Sequence, residues 1–266
     1  KVYQNQVEAR QKKGSGDFSV MKFDILTLFP EMFEAVLDKS IIGRAKEKGL
    51  LELNYIQIRD FAFNKHRSVD DYPYGGGQGM VMQAEPIFKA YESVTEDLNY
   101  KPYTVYMSPQ GRTFRQSTAK RMAKKYDHVV ILCGHYEGVD QRLIDEIIDE
   151  EISIGDFVLT GGEIAAMAVV DAVARLIPGV LKSEEAFSDE SHYSGLLEYP
   201  QYTRPEVWHN EKVPDILLSG HHKNIENWKR KMSIENTFKK RKSMLNKARL
   251  TEEEQEFVKK LKLENK

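Results

Sequence analysis

Residues 151–167 read EISIGDFVLTGGEIAAM, and how this stretch is read decides the fold. Apolar residues crowd it, but Gly155, Gly161 and Gly162 and acidic residues interrupt them. It is too broken for one strand and too rich in glycine for one helix. Such a segment bends apolar backbone sharply, which brings amide and carbonyl groups close to whatever lies inside the bend. Upstream, HVVILCG (128–134) is a short, almost wholly apolar strand of the kind buried on both faces, and DQRLIDEIID (140–149) is helical by its spacing. Downstream, the helical run GEIAAMAVVDAVARLI closes at Pro178–Gly179.

Further out the alternation continues. FDILTLF (23–29) is a strand leading into one helix, EMFEAVLDKSIIGRAKEKG, and LELNYIQIRDF (51–61) is the next strand. A loop, NKHRSVDDYPYGGGQGM, precedes the helix PIFKAYESV, the strand YTVYMSP and the helix TFRQSTAKRMAKKY. Strands alternating with helices predict an α/β fold, a mostly parallel sheet with helices on both faces. Residues 182–195 lose the pattern and read as an interdomain linker, and residues 196–266 as a small C-terminal α-helical domain. Residues 1–20 lack the apolar core of a signal peptide, and Met21 opens MKFDILTLFPEMF as a natural beginning. The first 20 residues are therefore read as a leader, and 21–181 as the main domain.

Composition bounds the chemistry. Cys133 is the only cysteine among 266 residues, so an internal disulfide and a cysteine-built zinc site are both excluded, and a reducing cytoplasm fits. The longest apolar run is broken by Asp171, Arg175 and Pro178, which argues against a membrane span. The net charge of −2 hides an asymmetry: residues 221–250 carry ten Lys or Arg against two Glu, a local +8 on a chain otherwise at −10. A basic segment on an acidic chain fits either an end that faces a polyanion or a solvated helix face.

Three segments share one design. YMSPQGR (106–112), LCGHYEGVD (132–140) and SIGDFVLTGGE (153–163) each leave an apolar strand through Gly, Pro or Ser. Ligands of open α/β sheets bind at the carboxyl ends of parallel strands, where such loops cluster. YGGGQGM (74–80) lacks the spacing of a dinucleotide fingerprint, and no P-loop is present. Beside Lys65, His66 and Arg67, its Gly76 and Gly77 fit a loop that approaches an RNA backbone.

Together LTLFPEMF, VDDYPYGGGQGM, SPQGR, CGHYEGVD, EISIGDFVLTGGE, RLIPGV, GLLEYPQYTRP and VPDILLSGHH resemble the bacterial tRNA (guanine-N1)-methyltransferases, from Met21 to about Arg241. The resemblance implies the SPOUT fold, a sheet carrying a deep trefoil knot, and an obligate homodimer with the site at the subunit interface. It implies methyl transfer from S-adenosylmethionine to N1 of the guanine 3′ of the anticodon. By the same resemblance the donor is held by Met107, Ser108, Pro109, Gly134, Tyr136, Glu137, Ile154, Gly155, Leu159, Gly161 and Gly162, and Glu137 is the position tied to magnesium. Ala165 and Phe157 stand where many of these enzymes carry proline and tyrosine.

The guanine N1 carries a proton, so methylation needs a positioned base, and a cation to steady the charge that develops on O6. Arg175 matches the family's arginine. The family's catalytic aspartate sits in a DDSF motif ahead of GLLE; here DESHYSGLLE puts Glu190 at that position with Asp189 beside it, and either carboxylate can be the base. Grip on the anticodon stem-loop would come from the Lys65–Arg67 and Gly76–Gly77 loop and from Lys229, Arg230, Lys239, Lys240 and Arg241, chiefly at phosphates. A ribose methyltransferase of the same fold, or a tRNA binder without activity, are the alternatives; both turn on those two carboxylates.

Overall fold

The computed structural model describes residues 20–181, 190–192 and 195–264. The chain divides into two compact units, one up to residue 182 and one from 183 onward.

In the first unit β1 (Met21–Thr27) leads into α1 (Pro30–Leu37), α2 (Ser40–Glu47) and β2 (Leu51–Gln57). Then come the two-residue strands β3 (Asp70–Asp71) and β4 (Val81–Met82), α3 (Ala84–Thr95), β5 (Tyr103–Thr113), α4 (Gln116–Lys125), β6 (His128–Cys133), α5 (Gln141–Ile147), β7 (Glu150–Ser153) and α6 (Glu163–Ala174). Five strands form one sheet in the order β2-β1-β6-β5-β7, every pairing parallel. After β2 the chain passes over two strands to β5, returns to β6, and crosses again to the edge at β7. β1, β6 and β7 end at Thr27, Cys133 and Ser153, level with Met107 of β5, and so open on one side of the sheet, where β/α loops gather.

Burial follows the alternation of side chains along the strands. Phe23, Ile25, Val129 and Ile131 pack against Phe33, Ile42, Met122, Val169 and Val173, from α1, α2, α4 and α6. Leu26, Val130, Leu132 and Tyr106 pack against Ile87, Tyr91, Leu143 and Ile147, from α3 and α5, on the opposite face. All six residues of β6 are buried, as its unbroken apolar run requires. The expected mixed α/β architecture with a mostly parallel sheet is thus observed.

Three local readings are corrected. The single helix expected after β1 is two, because the chain turns at Asp38–Lys39 with Ser40 at φ +55°. There the Asp38 carboxylate accepts from Lys46 Nζ and Tyr55 Oη, each at 2.8 Å, and these bonds, led by that from Lys46, hold its pKa below the ordinary carboxylate range against the opposing effect of burial. The strand expected to run to Phe61 stops at Gln57, whose side chain accepts from the Arg59 N–H and starts a 3-10 turn at Ile58–Phe61. SPQGR is strand as well as loop: β5 continues to Thr113, with its register against β7 shifting between Met107 and Arg112.

The second unit contains a two-residue hairpin, β8 (Val207–Trp208) with β9 (Glu211–Lys212), then α7 (Asp215–Leu218), α8 (His222–Lys240), a 3-10 segment at Lys242–Asn246, and α9 (Glu252–Glu264). Its core is its own: Leu196, Ile234, Phe238, Leu245, Val258 and Leu261. Thr237 Oγ1 accepts from the Leu197 N–H at 2.8 Å, and Asn236 donates to the Glu198 carbonyl at 2.9 Å, fastening residues 196–198 to α8. Among the described residues no helix is long and apolar enough to cross a membrane.

Candidate active site

The ends of β5, β6 and β7 surround a cavity of about 430 Å³. Met107, Ser108, Pro109, Gly134, Tyr136, Glu137, Ile154, Leu159, Gly161 and Gly162 all line it; Gly155 does not. The structure thus gathers three separate loops around one space within the usual range for a small-molecule site. Sequence reasoning missed several lining residues, among them Tyr106, Gln110 and His135. Tyr106 and His135 sit inside quoted motifs, but only packing reveals which way they face.

Close backbone approach explains two of the glycines. A Cβ on Gly162 would lie 2.9 Å from the Cα of Cys133, and the Gly162 N–H donates to the Gly134 carbonyl at 3.0 Å. A Cβ on Gly134 would lie 2.8 Å from the Tyr106 ring and hydroxyl. Burial, followed by the charge of Glu151 and the nearby Cys133, pushes the Tyr106 phenol up to about 12, so at neutral pH it stays a protonated donor beside the cavity. Tyr136 adopts φ +58°, a left-handed conformation costly for a bulky residue. It is about half exposed at the cavity, and the bonds Glu137 N–H to Met80 O (2.9 Å) and Gly138 N–H to His135 O (3.1 Å) brace it.

The glycine loop joins this site. The Met82 N–H donates to the Gly138 carbonyl at 2.9 Å and Met82 bridges Val139, so residues 70–82 are stitched to the 135–139 loop. Lys65, His66 and Arg67 are exposed, with Arg67 3.1 Å from Asp60, and Gly76 and Gly77 have positive φ.

Glu137 lines the cavity, and among the described residues no group of three or more His, Cys, Asp or Glu is placed to hold a metal ion. The residues present do not fit a protein-built magnesium site.

Arg175 is half-buried at the C-terminus of α6 and does not line the cavity. That helix starts at the cavity and is 12 residues long, so it carries Arg175 about 18 Å from Glu163 at 1.5 Å per residue. Glu190 is half-buried in the second unit; Asp189 lies outside the described residues. The next residues form a tight turn, with Ser191 Oγ accepting from the Glu198 N–H at 3.0 Å and His192 at φ +70°.

Of the five residues of α8 and its end expected to meet phosphates, Lys239, Lys240 and Arg241 are exposed. Lys229 is held 2.8 Å from Glu226 and over the Tyr199 ring. Arg230, expected to face phosphates, is gripped by both carboxylate oxygens of Glu254, at 2.7 and 3.1 Å. Charge count alone cannot distinguish a free cation from one neutralised by a helix farther along the chain.

A parallel sheet whose strand ends gather three loops around a cavity of this size defines a small-molecule-using α/β enzyme. The chain belongs to the family described as tRNA (Guanine-1)-methyltransferase TrmD, whose model matches residues 21–247. It is similar to the tRNA (guanine-N(1)-)-methyltransferase of Ruminiclostridium cellulolyticum, 57% identical over 227 residues that cover 85% of this chain and 97% of the relative. Proteins of the same name from Alkaliphilus metalliredigens and Carboxydothermus hydrogenoformans are each 53% identical, covering 90% and 88% of this chain and 97% and 91% of those relatives.

Proposed function

We propose that this chain methylates N1 of the guanine 3′ of the anticodon in tRNA, using S-adenosylmethionine, with its substrate in the cytoplasm. The reading rests on one observation above the others: ten residues from three motifs of this family converge on a single cavity. S-adenosylmethionine bound there supplies an electrophilic methyl group on a sulfonium. Gly134, Gly161 and Gly162 let main-chain groups reach its polar atoms, while Ile154, Leu159 and Pro109 exclude water.

Glu190 or Asp189 takes the N1 proton, and Arg175 steadies the charge gathering on O6. Arg175 lies at the end of α6 away from the cavity and is absent from its lining, which supports a homodimer in which each arginine serves the other copy. A deep trefoil knot is the topology proposed for residues 128–177, supported by the return of Gly162 to the end of β6. Residues 21–181 form the methyltransferase domain, 182–195 the linker and 196–266 the tRNA-binding domain. The loop of Lys65, His66, Arg67, Gly76 and Gly77, with Lys229, Lys239, Lys240 and Arg241, grips the anticodon stem-loop through phosphates.

The test is transfer of a labelled methyl group to tRNA with guanine 3′ of the anticodon, beside a tRNA with adenine there. Label on guanine N1 is the expected result. Label on a ribose, or donor binding without transfer, would replace this reading.

A further inference from the structure

Apart from the residues assigned above to the donor and to the chemistry, a buried polar cluster touches the cavity. Glu163, the first residue of α6, is 2% exposed. Its Oε1 accepts from the Thr27 hydroxyl at 2.7 Å, and its Oε2 pairs with His135 Nε2 at 2.8 Å. Thr27 ends β1, and its Oγ1 in turn accepts from the Phe29 N–H at 3.0 Å; the Phe29 ring lies 5.1 Å from that of His135. His135 lines the cavity between Gly134 and Tyr136, and its ring fills the space a Cβ on Gly161 would need.

A buried carboxylate is a costly way to fill a helix start, and an apolar side chain would serve stability as well or better. What the glutamate adds is geometry. It ties the loop after β6, the turn before α6 and the end of β1 to one point. We infer that Thr27, Glu163 and His135 form a positioning clamp that holds two of the three cavity loops at the spacing the methyl donor requires before it binds. The inference rests on the reading of this cavity as the donor site. Prepaying loop order in this way raises affinity for the ligand that the loops enclose. A clamp on the donor loops acts on the donor, not on the RNA or on the chemical step.

The experiment is calorimetric titration of S-adenosylmethionine into the full chain, for wild type, Glu163→Leu, Glu163→Gln, His135→Gln and Thr27→Val, with donor KM, tRNA KM and kcat measured on each. Glu163→Leu and His135→Gln should weaken donor binding about tenfold, the effect of losing one or two buried hydrogen bonds. Donor KM should rise in parallel, with tRNA KM and kcat within about twofold of wild type. Glu163→Gln, which keeps a hydrogen-bonding group at both positions, should recover most of the affinity. If Glu163→Leu fails to fold, the near-isosteric Thr27→Val decides, with donor binding weakened severalfold at unchanged far-UV dichroism. Wild-type donor affinity in His135→Gln and Thr27→Val would overturn the clamp, as would a common fall in kcat with unchanged donor affinity. Absence of donor binding to the wild type would instead overturn the donor-site reading itself.

Discussion

The Gly162 N–H donates to the carbonyl of Gly134 at 3.0 Å, joining the turn before α6 to the end of β6 across 28 residues of chain. Neither glycine leaves room for a side chain: Cys133 backbone closes on one and the Tyr106 ring on the other. Gly162→Ala must push β6 or the turn aside, and Gly134→Ala must displace Tyr106 into the cavity. Both substitutions should weaken S-adenosylmethionine binding at least tenfold, Gly162→Ala with a fall in Tm because its obstacle is backbone. Calorimetric titration together with thermal melts checks this, and wild-type affinity in Gly134→Ala would contradict it.

Cys133 is fully buried on β6. Burial first, and the charge of Glu163 second, push its thiol well above the usual range, so the nucleophilic thiolate is suppressed. A disulfide-exchange reagent at pH 8 should leave the native chain unlabelled and modify one thiol per chain once urea unfolds it. Rapid labelling of the native protein would show that β6 opens.

Much of this was legible in sequence, for physical reasons. β6 is apolar at nearly every position because both its faces are covered, and the glycines at 134, 161 and 162 mark places where a side chain would have no room. Other features depend on distance across the fold. Nothing near Glu163 in sequence announces that Thr27, 136 residues away, will hydrogen-bond it. The break at Asp38 was hidden because the apolar spacing of α1 and α2 continues helical periodicity through it, and β7, at four residues, is too short to show a period. Arg230 read as an RNA contact because the residue that occupies it, Glu254, is 24 positions further on.

That pair yields a prediction with a definite sign. The hydrogen bond from Arg230, first among its causes, holds the Glu254 carboxyl below its ordinary pKa. A depressed folded-state pKa adds stability above the unfolded value, near 4.3, and the gain disappears as pH falls through the lower folded value. Both tryptophans, Trp208 and Trp228, belong to the second unit, so their fluorescence follows its unfolding. Glu254→Gln should lower stability by about 1 kcal/mol at pH 7, a value suited to a partly exposed ion pair. The gap between variant and wild type should narrow by pH 3. An equal gap at both pH values would mean that packing of α9, and not its charge, carries the effect.

The distance between Arg175 and the cavity supplies the sharpest test of how the site is assembled. Ala165 in the first turn of α6 lines the cavity, and Arg175 caps the helix ten residues, about 15 Å of rise, further along. If each arginine completes the cavity of a second copy, a chain lacking Arg175 and a chain lacking a working cavity can rescue each other. In a heterodimer of Arg175→Ala with Gly134→Ala, one site unites an intact cavity with an intact arginine, and the other has lost both. Random pairing makes half of the dimers mixed. At a donor concentration too low to saturate Gly134→Ala, refolding an equal mixture should therefore restore about a quarter of wild-type activity, although Arg175→Ala alone is nearly inactive and Gly134→Ala alone retains about a tenth or less. Methyl transfer to tRNA measured before and after mixing gives the answer. No gain on mixing, with mixed dimers demonstrated by a size tag on one chain, would place Arg175 and the donor cavity in the same subunit's site and would require α6 or the loop after it to move.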